Sequence, residues 1–250
     1  MRRWGPPFLV LVGLIAAWQL LASIGAMADA LSLEEYLVPS PSEIAESLWQ
    51  NRTLLAENAW VTLGEIVLGL LLAVAAGVSL AVLLDLSEPM RRALYPLIVG
   101  SQTIPVIVIA PILVVWFGYG VEPKLVLVAL ICFFPIAVNT ADGLRSVDPE
   151  ARKMMRTLDA SRLQILRRVE APTALPYFFS GMRIAAAIAP IGAVFGEWVG
   201  SDSGLGHLIL QDNAQLETAR MFAAAAVLAV IAVSLFAVLS IAERRVVDWR

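Results

Sequence analysis

Residues 142–176 read DGLRSVDPEARKMMRTLDASRLQILRRVEAPTALP, a charged island in a chain that is otherwise mostly apolar. Seven of the 18 Lys and Arg residues fall between Arg145 and Arg168. The stretch also carries helix punctuation. Asp148 is suited to cap a helix whose first residue is Pro149. Ala151, Met154, Met155 and Leu158 then recur at i, i+3, i+4 and i+7, which is one face of a helix. The pattern breaks at Asp159 and Ala160. Ser161 followed by Gln164 is a capping-box signature for a second helix. Leu163, Leu166 and Val169 give that helix an apolar stripe, and Pro172 is expected to stop it. Two short amphipathic helices have little core of their own, so their apolar faces need something to dock against.

On both sides of this island the sequence is apolar over membrane-spanning lengths. Hydrophobic residues make up 59% of the 250, charged residues 16%, and the mean hydropathy is +0.79, which places the chain in the membrane class. Six spans are predicted, at 7–27, 59–84, 96–117, 124–140, 176–199 and 219–242. Each is near the ~20 residues that a ~30 Å hydrocarbon core requires. The expected fold is therefore all-α, one transmembrane domain over 1–250, with the charged loop at about 142–175. Arg2 and Arg3 before an apolar run also fit a signal peptide, but with five more spans following, the run reads as an uncleaved first helix. Ser40, Pro41 and Glu43 predict a capped surface helix between the first two spans. Gly64, Gly69 and Gly77 are expected to allow close contacts of the second span. Pro105 and Pro111 interrupt the third, and 200–218 reads as a loop.

Basic residues set the orientation. With the N-terminus inside, the cytoplasmic segments hold 14 of the 18 Lys and Arg: Arg2, Arg3, Arg91, Arg92, the seven of the loop, Arg244, Arg245 and Arg250. The outer segments hold 3: Arg52, Lys124 and Arg220. Both termini and the basic loop are thus expected in the cytoplasm. Trp4, Trp18, Trp60, Trp116, Trp198 and Trp249 sit near span ends or lipid, as interfacial anchors do.

Composition excludes several chemistries. One Cys, Cys132, allows no internal disulfide, and one His, His207, allows no HExxH or multi-histidine metal site. No nucleophile or acid–base cluster stands out, so no catalytic or metal residue is expected. The chain carries no Walker motif, so any ATP hydrolysis belongs elsewhere. The remaining candidates line a path or gate. Ser101, Gln102, Thr103 and Pro105 put polar groups beside a helix break, which suits a cavity wall. Asn139 is polar within the fourth span. Helix-to-helix hydrogen bonding explains these residues equally well. Glu197 ends the fifth span beside Gly204-Leu205-Gly206, where it either shapes an outer gate or sits at the interface. Glu65 reads as reaching the interface, and Arg183 as snorkelling or pairing with a loop acid such as Glu170.

The loop itself has three readings. Its arginines can meet anionic lipid heads as a topology signal. It can be a DNA-binding helix-turn-helix, which its attachment to the membrane at both ends opposes. Or it can dock on a partner, which alone accounts for capped helices with apolar stripes.

The loop resembles the coupling loop of permease subunits of binding-protein-dependent ABC importers. That family's loop reads Glu-Ala-Ala, three residues, Gly, nine residues, Ile, one residue, Leu-Pro. Here the frame falls on Lys153-Met154-Met155, Asp159, Val169 and Ala171-Pro172, with spacing kept and identities changed. Phe133-Phe134-Pro135 with Asn139, Met155-Arg156-Thr157-Leu158 with Ala160-Ser161, and Gly196-Glu197-Trp198 through Gly206 resemble the nitrate, sulfonate, taurine and pyrimidine branch. The resemblance covers about residues 5 to 245. It implies a type I importer permease in the bacterial inner membrane, working by alternating access. Its partners would be a second permease copy, an ATP-binding subunit that holds ATP and Mg, and an extracytoplasmic solute-binding protein. Membrane lipid surrounds it, and nucleic acid is not a partner. Coupling would fall to Ala151, Met154, Met155, Leu158, Asp159, Ala160, Ser161, Leu163, Leu166 and Pro172. The family's Gly at the position of Asp159 implies a positive-φ turn; Asp tolerates that conformation, or its carboxylate caps the second helix.

Two competing classes fit less of the chain. A secondary transporter is expected to show inverted repeats and a coupling-ion site at mid-bilayer. A channel leaves the docking loop without a role. As to substrate, 197–217 is most similar to permeases assigned to pyrimidine precursors of thiamine, with nitrate, sulfonate, taurine and riboflavin carriers as close relatives.

Overall fold

The structure is a computed structural model that describes residues 5–247, and those residues are helical with no strand among them. Arg2, Arg3, Trp4, Trp249 and Arg250, which entered the reading of orientation and anchoring, lie outside the described residues. Twelve α-helices follow one another: α1 (Gly5–Ser23), α2 (Ala26–Leu31), α3 (Pro41–Gln50), α4 (Arg52–Leu86), α5 (Glu88–Ser101), α6 (Val106–Phe117), α7 (Glu122–Arg145), α8 (Pro149–Thr157), α9 (Arg162–Ile165), α10 (Ala171–Gly200), α11 (Leu205–Gln215) and α12 (Thr218–Val246). Four helical runs are long and apolar enough to cross a bilayer: Arg52–Leu86, Glu122–Arg145, Arg162–Gly200 and Thr218–Val246. The pair α5 and α6, bent by 101°, makes a fifth, and the apolar part of α1, Leu9–Ser23, is shorter.

The described residues form two compact units. The first takes the chain up to Val61 together with Ser203–Ala229. In it α1 ends at Ser23, because Gly25 turns left-handed at φ 70° and the chain re-enters a helix as α2. The expected continuous helix over 7–27 is therefore broken. α3 forms as predicted, with Ser40 and Glu43 closing a capping box and Pro41 in the first turn. Gln19 holds α3 by two bonds to Ser42, at 3.0 and 2.9 Å. Trp18 packs on Phe222 with ring centroids 6.3 Å apart. The expected loop at 200–218 contains α11, whose Asp212 is fully buried and bonded by Arg220 at 2.6 Å.

The second unit takes Thr62–Asp202 together with the chain from Val230 on. Its core joins Ile66, Leu70 and Ala73 of α4, Val128, Cys132 and Ile136 of α7, and Met182, Ala185, Ala189 and Ala193 of α10. Small residues let these helices approach closely. A Cβ on Gly69 would lie 2.5 Å from Val128, and one on Gly181 would collide with the carbonyl oxygen of Pro135. Gly64, expected to serve the same purpose, has open space around it. Outward faces stay apolar, with Leu68, Leu71 and Leu72 on α4 and Val230, Val233 and Phe236 on α12 all exposed. That is the pattern of helices solvated by lipid.

Pro105 divides the third predicted span as expected, whereas Pro111, also expected to interrupt it, lies inside the continuous helix α6. α5 begins earlier than the sequence reading placed it, at Glu88, because Ser87 caps it. It ends at Ser101, and Pro105 stands at the N-cap of α6. Pro172 behaves differently. The helix it was expected to stop runs on: α9 passes through a π turn, Leu166–Glu170, into α10. The widened turn, in which the Ala171 N–H donates to the Leu166 carbonyl, gives the proline ring room against the preceding turn. Pro172 then sits in the first turn of α10, where its missing N–H costs little.

Candidate coupling site

The loop folds into two short helices with the predicted caps. The Asp148 carboxylate accepts from the Glu150 N–H at 2.9 Å and opens α8. Ser161 and Gln164 close a capping box that opens α9. Between them Asp159 takes φ 53°. The Asp159 N–H donates to Arg156 and the Ala160 N–H to Met155, at 3.1 and 3.0 Å. This is a Schellman ending with Asp159 at the left-handed position that glycine favours. The alternative for Asp159, a cap on the second helix, is not realised, because Ser161 fills that place.

Apolar side chains of the loop divide into two sets. Met154, Leu158 and Leu163 are exposed, at 64%, 68% and 51%. Ala151, Met155 and Ala160 are half-buried. Leu166 departs from the expected docking stripe. It is buried in the chain's own core with Ala81, Ala141, Leu144 and Ala174, because the π turn rotates it inward.

A ring of four charges fastens both short helices to longer ones. Arg152 of α8 bonds Glu170 at 2.9 Å, lies 4.0 Å from Asp85, and donates to the Leu144 carbonyl at 2.6 Å. Arg162 of α9 bonds both Asp85 and Glu170. The two carboxylates are buried, Asp85 at the end of α4 and Glu170 just before α10, while the guanidiniums are half-exposed. Each short helix is therefore tied to both α4 and α10. Nearby, Arg145 at the end of α7 bonds Glu88 of α5 at 3.2 Å. Sequence reasoning missed this ring. It offered Glu170 only as one of two readings for Arg183, which instead bonds Glu243 of α12. A signal was present: Asp85 and Glu170 are acids at span ends, beside a loop rich in arginine.

The other candidates fall in two places. Ser101 and Thr103 turn their hydroxyls back to the carbonyls of Ile98 and Gly100, at 2.7 and 2.8 Å, and Gln102 caps α5. Asn139 likewise donates to its own helix, at Pro135, at 2.7 Å. These bonds satisfy carbonyls around helix breaks. Ser101 also borders a cavity of about 260 Å³ with Leu80, Leu97 and Phe133. Glu197 is fully buried and accepts from Thr62 at 2.7 Å, which removes its interfacial reading. Glu65 is buried too and forms an ion pair with Lys124, so it does not reach the interface. Lys124 donates to Ser201 at 2.9 Å. Thr62, Glu65, Lys124, Glu197 and Ser201 thus link α4, α7 and the end of α10 in one buried polar cluster. In the first unit Gly204 caps α11 at φ 110° and its N–H donates to Asn58 at 2.7 Å; Gly206 is buried within α11. Among the described residues no group of His, Cys, Asp and Glu is placed to hold a metal ion.

This architecture matches known proteins. A chain of the MetNI methionine ABC transporter, in an inward facing form, superposes with a TM-score of 0.66 at 21% identity, over 80% of this chain and 97% of that one. A probable ABC transporter permease of Haemophilus influenzae is 43% identical over 230 residues, 92% of this chain and 91% of that protein. The formylaminopyrimidine transport permease ThiX of Halalkalibacterium halodurans is 36% identical over 245 residues, 98% of this chain and 95% of that protein. Permeases named for riboflavin, aliphatic sulfonates and taurine also match. Residues 65–248 match the family described as binding-protein-dependent transport system inner membrane component. The chain belongs to that family: it is an inner-membrane permease subunit of an ABC importer for small solutes.

Proposed function

We propose that this permease carries a pyrimidine precursor of thiamine inward by alternating access, driven by an ATP-binding subunit docked on α8 and α9. One observation carries the docking. Met154, Leu158 and Leu163 are exposed on two capped helices whose arginines grip α4 and α10. A partner that buries those side chains acquires a rigid handle on two membrane helices. ATP and Mg then sit on that partner, and this chain performs no hydrolysis itself. The family description supports a solute-binding protein on the other face.

The unit at work in this reading is a pair of identical permeases, each one transmembrane domain with six spans and both termini in the cytoplasm. The coupling residues are Ala151, Met154, Met155, Leu158, Asp159, Ala160, Ser161 and Leu163, with Leu166 and Pro172 anchoring the π turn. The buried cluster around Glu197 is the outer gate. The pyrimidine reading rests on the likeness to ThiX along 98% of the chain. Calorimetric titration of the cognate solute-binding protein with formylaminopyrimidine, riboflavin, taurine and an aliphatic sulfonate tests it. Formylaminopyrimidine is expected to bind alone; binding of any of the others in its place refutes the substrate and leaves the docking untouched.

A further inference from the structure

The seven basic residues between Arg145 and Arg168 divide into those with a partner in the fold and those without. Arg145 pairs with Glu88, and Arg152 and Arg162 with Asp85 and Glu170. Lys153 and Arg156 on α8, like Arg167 and Arg168 on the π turn, are exposed and enter no ion pair among the described residues. α8 has two sides. Ala151, Arg152 and Met155 are half-buried, while Lys153, Met154, Arg156, Thr157 and Leu158 are exposed. Cations and apolar side chains thus share its outward side. Lys153 adjoins Met154, and Arg156 is its neighbour one turn along. The exposed acids keep to the ends. Glu150 lies in the first turn, where the helix N-terminus favours an anion, and Asp159 lies beyond the last. The chain has two lysines, and the other, Lys124, is buried.

A partner that covers Met154 and Leu158 brings Lys153 and Arg156 to the interface with them. A cation taken out of water with no counter-charge is strongly unfavourable, so the partner has to supply anions. We propose that the groove of the ATP-binding subunit that receives α8 is acidic, with one carboxylate placed for Lys153 and a second for Arg156. This rests on the docking proposed above and adds its chemistry. The apolar pair supplies the burial, and the two cations fix orientation and speed the encounter. A groove of the same shape lined by basic residues is rejected by like charge. The attraction weakens as salt rises.

The test uses the assembled transporter, purified in an uncharged detergent and treated with a water-soluble carbodiimide. The reagent activates a carboxyl group, the Lys153 amine attacks it, and an amide forms as the reagent leaves as its urea. Peptide mass spectrometry is expected to find Lys153 joined to an Asp or Glu of the ATP-binding subunit. Lys153→Gln/Arg156→Gln, two exposed changes that spare the fold, should weaken association about tenfold at low salt, the effect of two charge pairs at an interface edge. The same variant should lose the salt dependence that wild type shows. Unchanged affinity in that variant, with no crosslink from Lys153 in wild type, overturns the proposal and leaves the docking standing. If the subunit also stays bound to Met154→Ser/Leu158→Ser permease, the docking fails and this inference with it. Unchanged affinity for the subunit, with loss of affinity for phosphatidylglycerol vesicles, gives the two cations to lipid headgroups and likewise overturns the proposal.

Discussion

The guanidinium of Arg162 is bonded to the carboxylate of Asp85, 77 positions earlier in the chain. Asp85 is one of two buried acids in the ring, and Arg162 reaches both. A hydrogen bond to a charged group contributes about 1.5–3 kcal/mol, and a buried partner left alone costs at least as much. Asp85→Asn is therefore expected to loosen the link between α9 and α4 without touching the exposed docking side chains. The ATP-binding subunit should still co-purify, and solute moved per ATP hydrolysed should fall at least several-fold. Equal transport per ATP in vesicles would show that the ring is ornament to the fold and not a link in the stroke.

Lys124 is the cation for buried Glu65, in a neighbourhood that also holds Glu197. Removing one partner of a buried pair costs about 3–5 kcal/mol, whereas replacing both by apolar groups is close to neutral. Lys124→Met should sharply lower the thermal stability of the purified permease, and Glu65→Leu in addition should recover most of the loss. Failure of the double variant to recover would mean that Glu197 or Thr62, not Glu65, depends on the lysine.

Asp159 holds a left-handed backbone that a side chain occupies at a cost of about 1 kcal/mol. Asp159→Gly should relieve it. Hydrogen exchange at the Ala160 amide, which closes the Schellman turn, is the direct readout, and it should slow by a few-fold. Faster exchange would show that the Asp159 side chain stabilises the turn by more than its backbone costs.

Orientation is tested separately. In a Cys132→Ser background, single cysteines at Ser42 and Ser203 should react from outside with an impermeant thiol reagent, and one at Ser161 only in inverted vesicles. All three serines are on the surface of the structure, while Cys132 is buried. Labelling of position 161 from outside would reverse the topology and remove the docking loop from the cytoplasm.

Much of this was legible in the sequence because it is written locally. The caps at Ser40, Asp148 and Ser161 involve neighbours two or three residues away, and each forms as the spacing implies. The break before Pro105 follows from a single residue type, and the left-handed turn at Asp159 was implied by the family's Gly at that position. What the sequence hid was partnership across distance. Nothing near Glu65 names Lys124, and nothing near Asp85 names Arg162, since the packing of α4, α7 and α10 decides both. Pro172 misled for a related reason. A proline ends a helix unless the preceding turn widens, and that widening depends on Leu166 finding a core to enter.

The central claim is that Met154, Leu158 and Leu163 are the surface by which ATP hydrolysis drives the membrane helices. Burying a side chain of this kind stabilises by about 1.5–3 kcal/mol, and about 1.4 kcal/mol is a factor of ten in affinity. The measurement is co-purification of the ATP-binding subunit with Met154→Ser/Leu158→Ser permease, followed by transport in liposomes. The permease should insert and pair as before, since its spans are untouched, while the ATP-binding subunit is lost by about two powers of ten in affinity and transport stops. A double variant that keeps its partner and transports at the wild-type rate would contradict the account and leave the loop as a basic topology signal.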